Sequence, residues 1–342
     1  MKNIDLSKLS DDDLLKLKIC DLPISLEGTW LTECIDQLYR ELEQKGIEFR
    51  PSCYLADEWL TPDREPVIGI PFFLTHPRLM KLENKMMLEV EGGTKDWCMK
   101  LLRHETGHAI NYAYRLYRRK KWKDMFGEFH KEYPDTYRFR RYSRNFVRHL
   151  EDYYAQYHPD EDFAETFAVW LTPDYDWHLD YEKWGALRKL KYVDDLMREI
   201  KNKPPFVKKG KRYWQASRIR ITLNNYYRRK RHFYAEYFPD FHDVNLKKIF
   251  TPSGKRSGLP YAHKIISKNR KAIIKTICEW TGEKKYIVDD LIGGIIERCR
   301  QINLYVSSDE HSAVLRISIY IAVLVMNYMY TGRFRGKSEK KT

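Results

Sequence analysis

The stretch Leu101-Leu102-Arg103-His104-Glu105-Thr106-Gly107-His108-Ala109-Ile110-Asn111 decides how this chain is read. It holds a His-Glu-x-x-His pattern flanked by apolar residues at helical spacing: Trp97, Leu101, Leu102, Ala109, Ile110 and Ala113. On a helix, residues four apart stand one turn above each other, so His104 and His108 aim two imidazoles at one point. Two nitrogen donors so placed suit a tetrahedral Zn²⁺ ion. Glu105, beside the first of them, leans toward the open coordination position, where a carboxylate can take a proton from water. A chance match would fall on a solvated face or a loop. An apolar helix carrying the pattern instead predicts a hydrolytic metal site that still needs a third protein ligand.

Composition sets the frame around that helix. With 342 residues, 43% of them apolar and 14% aromatic, the chain can bury one large core or two modest ones, and disorder is not expected. The net charge of +14 admits a polyanion partner, acidic substrates or simply a basic surface. Cys20, Cys34, Cys53, Cys98, Cys278 and Cys299 lie far apart, without the paired spacing of a zinc ribbon or a disulfide framework. Asp11-Asp12-Asp13 stands where a secretion signal needs an apolar run, and the longest apolar run, 317–326, is short for a membrane span. A soluble, reduced, cytoplasmic protein with no membrane partner is expected, the 317–326 run forming a buried helix.

Upstream of the motif, a helical face over 28–44 (Trp30, Leu31, Cys34, Ile35, Leu38, Tyr39, Leu42) ends at Gly46, a good C-cap. Two strand-like runs follow, 47–55 and 67–76, which predict a small sheet beside the metal helix. An edge strand there can pair with an extended peptide. Gly92-Gly93 break the chain, so the metal helix is expected from about 94 to about 117, with Arg118-Arg119-Lys120-Lys121 at its C-terminus. Residues 122–157 read either as a long loop over the cleft or as a pair of short helices.

Downstream, His158-Pro159-Asp160-Glu161-Asp162-Phe163-Ala164-Glu165 opens a helix, with Pro and acids in its first turn. Such acids have an ordinary role at the positive end of a helix dipole. With the His-Glu-x-x-His helix upstream, they are also candidates for the missing oxygen ligand and for a carboxylate holding a ligand His by its other nitrogen. A further helix over 181–202 is expected to bury Trp184, Leu187, Val193, Leu196 and Ile200. Residues 204–260 then form a basic, aromatic-rich connector that includes Lys208, Arg212, Tyr213, Trp214, Tyr226, Tyr227 and Arg228 to Arg231. Basic groups interleaved with aromatics can neutralise phosphates and stack on bases, but no known binding motif accompanies them, so nucleic acid is the lesser reading. Residues 261–342 predict a three-helix module (262–281, 285–303 and 309–331). The last helix is expected to bury Leu315, Ile319, Ala322, Val323 and Met326.

The two motif helices resemble those of a bacterial zinc-binding metallopeptidase family of the gluzincin type, over about residues 25 to 200. The resemblance implies an α+β, mostly helical zincin-like domain over 1–203. It implies Zn²⁺ held by His104, His108 and Glu161, with Glu165 bracing the site or serving as the alternative ligand. Glu105 becomes the general base, and the substrate a peptide or protein. A Tyr seven positions before the ligand Glu, as in lethal-factor-type gluzincins, maps onto Tyr154, a candidate oxyanion donor or a plain packing residue, with Tyr153 and Tyr157 close by. The 52 residues between His108 and Glu161 (109–160) exceed the spacing of thermolysin-like enzymes, so the intervening segment is expected to shape the cleft. His149 and His158 fit no ligand spacing and are expected to be neutral and hydrogen-bonded or exposed. The expected function is zinc-dependent peptide hydrolysis. The competing reading is a catalytically silent zincin-fold binding module that contacts nucleic acid or a protein through its basic C-terminal half.

Overall fold

Helices form where apolar residues recur at helical spacing, and among the described residues one small sheet interrupts them early in the chain. A computed structural model describes residues 4–87, 89–133, 140, 142–150, 153–232, 242–252 and 258–331. The described residues are mostly helical with one two-stranded parallel sheet, an α+β arrangement. They fall into two compact units, the first reaching to Asn225 and the second running from Tyr226 onward with 86–89 joined to it.

The first unit begins with α1 (Asp11–Lys16) and α2 (Trp30–Gln44), the latter burying Leu31, Cys34, Leu38 and Leu42. Gly46, left-handed at φ 73°, ends α2: its N–H reaches the Glu43 carbonyl while Ile47 N–H reaches Leu42. Strands β1 (Ser52–Ala56) and β2 (Val67–Pro71) pair in parallel, with Ser52 opposite Val67 and Ala56 opposite Pro71. Between them the chain doubles back so that Leu60 pairs antiparallel with Gly69. After α3 (Pro77–Met87), α4 (Lys95–Ala113) carries the His-Glu-x-x-His pattern, its start capped by Thr94. It ends about four residues earlier than expected because Arg115 turns left-handed at φ 51°. The Arg118–Lys121 run therefore leads into α5 (Lys120–Phe126) instead of closing α4.

Helix α4 is buried without interruption from Leu101 to Ala113. On one side, Arg103 forms a two-pronged buried ion pair with Glu41 of α2, at 2.8 and 2.7 Å. Removing one partner of such a pair strands the other charge and costs about 3–5 kcal/mol. On another side lies α6 (Pro159–Leu171), and α7 (Trp177–Asp180) and α8 (Leu187–Ile200) follow it. A buried Lys189–Asp162 pair at 2.6 Å ties α8 to α6. Helix α8 starts six residues later than the expected 181; Val193, Leu196 and Ile200 are buried as expected, while Trp184 and Leu187 are only half-buried.

The first part of the expected 204–260 connector is bonded back onto the first unit. Val207 N–H reaches the Ala113 carbonyl, Cys20 and Ile19 N–H reach Ile219 and Ile221, and Lys211 N–H reaches a Glu65 carboxylate. Helix α9 (Leu223–His232) leads into the second unit. Of the connector's aromatics, Tyr226 and Tyr227 are buried while Tyr213 and Trp214 stay exposed.

The second unit packs α10 (Asp243–Ile249), α11 (Ala262–Thr281), α12 (Lys285–Gln301) and α13 (Glu310–Thr331) around one apolar core. Three helices were expected and a short fourth, α10, joins them through Leu246. The expected buried face of α13 is corrected. Ala313, Ile317, Ile321, Leu324 and Val325 face the core, whereas Leu315, Ile319 and Val323 are 53%, 55% and 51% exposed. Helix α13 is apolar nearly all round, so periodicity did not select the side that neighbours would cover. Its Glu310–Met329 stretch has mean hydropathy 1.6, long and apolar enough to cross a membrane by length and composition, and 28% of it is buried.

Candidate metal centre

Helices α4 and α6 approach so closely at one point that only glycine fits there. A Cβ on Gly107 would lie 2.7 Å from the Ala164 Cα and 2.9 Å from its carbonyl oxygen. That crossing sets the histidines of α4 against the acidic first turn of α6. His104 and His108 lie edge to face, with ring centroids 4.9 Å apart, and their Nε2 atoms are 3.2 Å apart. Glu161 Oε2 lies 3.1 Å from His108 Nε2 and 3.2 Å from His104 Nε2. All three side chains are buried.

Three donors bound tetrahedrally at about 2.0–2.1 Å from one ion stand about 3.3 Å from each other, by simple geometry. The observed triangle of 3.1–3.2 Å matches that spacing. The cluster can therefore hold a metal ion.

The other ring nitrogens are held from behind. Glu165 Oε1 accepts from His104 Nδ1 at 2.8 Å, and its second oxygen takes the Leu150 N–H at 2.9 Å. Asp160 Oδ2 accepts from His108 Nδ1 at 2.8 Å and from the Tyr112 hydroxyl, while its Oδ1 accepts from Asn111. With each Nδ1 committed to a carboxylate, both Nε2 atoms point at the shared centre. Glu161 thus brings an oxygen to the two Nε2 atoms, whereas Glu165 stands behind His104. Asp160 was not singled out from sequence, because an acid at a helix start has an ordinary explanation.

Electrostatics bind the cluster together. Burial works against a charged His104, but the Glu161 and Glu165 carboxylates outweigh it and lift this imidazole to about 9. His108 is likewise raised well above the usual range, with burial opposed by Asp160 and Glu161. Glu161 is held below the ordinary carboxylate range: burial pushes it up, but the two imidazoles pull it down further. Glu105 moves the other way, raised by burial despite the neighbouring histidines. Its backbone carbonyl accepts from the Thr61 hydroxyl at 3.0 Å, which sets the Leu60–Thr61 edge against α4.

Two tyrosines line the centre. Tyr154 places its ring 5.6 Å from that of His104, and burial together with the Glu161 and Glu105 charges raises its phenol well above the usual range. Tyr133 donates to Glu161 Oε1 at 2.8 Å, the oxygen turned away from the histidines. It stacks on His158 at 4.0 Å, and Tyr157 lies 5.4 Å from it. Tyr153 takes the left-handed turn just before Tyr154. Sequence reasoning missed Tyr133, which comes from an irregular segment 28 residues before Glu161 and carries no motif. His149 and His158 stay outside the cluster, bonded to the carbonyls of Lys100 and Lys131. No protein-family model, no curated protein and no solved structure matches this chain.

Proposed function

We propose that the chain is a zinc-dependent metallopeptidase of the gluzincin type, with a zincin-like first unit. The observation that carries this reading is the triangle of His104 Nε2, His108 Nε2 and Glu161 Oε2, each pair 3.1–3.2 Å apart. Two imidazoles and one carboxylate form a donor set that suits zinc and leaves a fourth position open. Zinc held there supplies Lewis acidity toward a carbonyl oxygen and lowers the pKa of water.

The chain's own groups do the rest. Glu165 and Asp160 keep the histidines in the orientation that presents Nε2. Glu105, its carboxyl raised by burial, accepts a proton from the attacking water and passes it to the departing amine. Tyr154, its ring beside His104 and its phenol raised well above the usual range, is the donor this reading assigns to the oxyanion that forms at the carbonyl. Tyr133 fixes the second oxygen of Glu161. Leu60 spends its main-chain groups on Gly69, so an extended peptide would add its main-chain bonds at the neighbouring Thr61, whose hydroxyl bonds the Glu105 backbone.

The test is Glu105→Gln in the full-length chain. Elemental analysis should return one zinc per chain for parent and variant, while peptide hydrolysis falls by about 10²–10⁴-fold in the variant. Cleavage by the variant at the parental rate removes the mechanism. Zinc without any hydrolysis in the parent leaves a metal-holding binding module in its place.

A further inference from the structure

Outside the metal centre, the first unit holds an open, cationic cleft of about 250 Å³ lined by Arg64, Tyr117, Arg118, Lys123 and His130. Its walls come from four separate pieces of chain. Arg64 sits in the return between β1 and β2 in a left-handed conformation (φ 59°), rare for a side-chain-bearing residue. Tyr117 and Arg118 lie on the turn after α4, Lys123 lies on α5, and His130 follows α5. Tyr117 is buried and stacks on Phe129 at 4.3 Å, giving the cleft a rigid aromatic floor.

The cations are arranged rather than scattered. Arg64 Nη2 lies 3.0 Å from His130 Nδ1, so the imidazole orients the guanidinium. Two carboxylates attend the group: Asp63 lies 3.5 Å from Arg64, and Glu128 lies 3.1 Å from Lys123. Both carboxylates are mostly solvent-exposed and screened, so they pair weakly. Arg118 rests over the Tyr117 ring at 5.8 Å and has no carboxylate partner among the described residues. Three positive charges over an aromatic floor make a receptor for an anionic group.

Two of the walls run straight into the metal centre. Thr61, three residues before Arg64, bonds the Glu105 carbonyl; Tyr133, three residues after His130, bonds Glu161. Three residues of chain reach at most about 10 Å and one side chain with its hydrogen bond spans about as much again, so a peptide at the centre could place a side chain in the cleft within about six residues of the reacting bond. We propose that this cleft is an anion subsite of the metal centre and selects peptides with an acidic side chain, a carboxylate or a phosphoryl group, close to the cleaved bond. The proposal rests on the peptidase reading for its location, but its test does not use hydrolysis.

Fluorescence anisotropy would measure binding of labelled neutral peptides to the full-length, zinc-loaded Glu105→Gln protein. Within each peptide a single Glu, phosphoserine or Gln is moved along the sequence. At one or two positions, the Glu or phosphoserine peptide should bind about tenfold to hundredfold tighter than the Gln peptide. That preference should vanish in an Arg64→Gln/Arg118→Gln variant whose thermal transition is unchanged. A phosphoserine advantage over Glu identifies a phosphoryl ligand, and equal binding identifies a carboxylate. Equal binding of Gln and anionic peptides, a preference that survives the double substitution, or no binding by any peptide each overturns the proposal. Failure of the peptidase reading is a separate result: no hydrolysis by the parent, with the charge preference intact.

Discussion

Helices α4 and α13 are both long and rich in apolar residues, yet their surroundings differ. Helix α4 is buried from Leu101 to Ala113, and three of its ionisable groups each meet a particular partner: Arg103 with Glu41, His104 with Glu165, His108 with Asp160. Helix α13 buries one stripe and leaves Leu315, Ile319 and Val323 about half exposed. A buried polar group left without its partner costs more than a typical native bond contributes, so such groups pin a helix's rotation and neighbours. A helix that is apolar on most sides gains nearly as much from one rotation as from another. That contrast yields four experiments.

The largest expected effect comes from widening the α4–α6 crossing. Gly107→Val puts a branched side chain where even a Cβ falls 2.7 Å from the Ala164 backbone, which has no flexible end to yield. The helices must separate, at a cost of about 3 kcal/mol or more, by overpacking against rigid backbone. Separation also pulls Glu161 from the histidines, so metal uptake measured by titration calorimetry should disappear together with the drop in thermal midpoint. A variant that keeps parental metal affinity would show that the crossing does not set the donor triangle.

Next is the pH dependence of metal uptake. The His104 imidazole is raised from its ordinary 6.5 to about 9 in the metal-free chain. A raised imidazole contributes folding stability that is fully present below about 6.5 and fades as the pH climbs through about 9. Metal requires the neutral ring, so zinc competes with that proton. Apparent zinc affinity should be weakest below pH 6.5 and rise as the pH climbs through about 9, with protons released into the buffer at pH 8. A flat profile would mean that the carboxylates do not hold the free rings charged.

The carboxylates behind the rings come third. Asp160→Asn and Glu165→Gln preserve size but weaken the acceptor for each Nδ1–H, and each should lower zinc affinity by about 10–100-fold while leaving the fold intact. Comparable losses from both would make the two braces equivalent. This pair also shows what the sequence could and could not disclose. His104, Glu105 and His108 were legible because the chemistry demands a fixed spacing on one helix. Glu161 and Glu165 were legible as acids four apart on a downstream helix, and resemblance to a two-helix pattern gave each its role. Asp160 does the same work for His108 that Glu165 does for His104, yet an acid beside Pro159 reads as ordinary helix-start chemistry. Tyr133 and Thr61 reach the centre from irregular chain, where no periodicity announces a contact with a residue tens of positions away. The elements themselves followed apolar spacing well; their ends did not, as Arg115's left-handed turn in α4 shows.

The smallest effects belong to α13, and there the useful quantity is a difference within one helix. Ile317 is buried in the second unit's core and Ile319 is half exposed, two positions away on the opposite side. Ile317→Ala removes buried methylene groups and should cost about 2–4 kcal/mol. Ile319→Ala should stay within about 0.5 kcal/mol in a monomeric, membrane-free solution, since it trades one partly solvated side chain for a smaller one. Urea unfolding of each variant, read by tryptophan fluorescence and circular dichroism, gives both numbers under one condition. Equal costs at the two positions would mean that the outer stripe is covered in solution, and α13 would then be as enclosed as α4. A clear gap would leave the two helices as different as their partners make them: one held in place by charges it cannot abandon, the other by a choice of face that its own sequence leaves open.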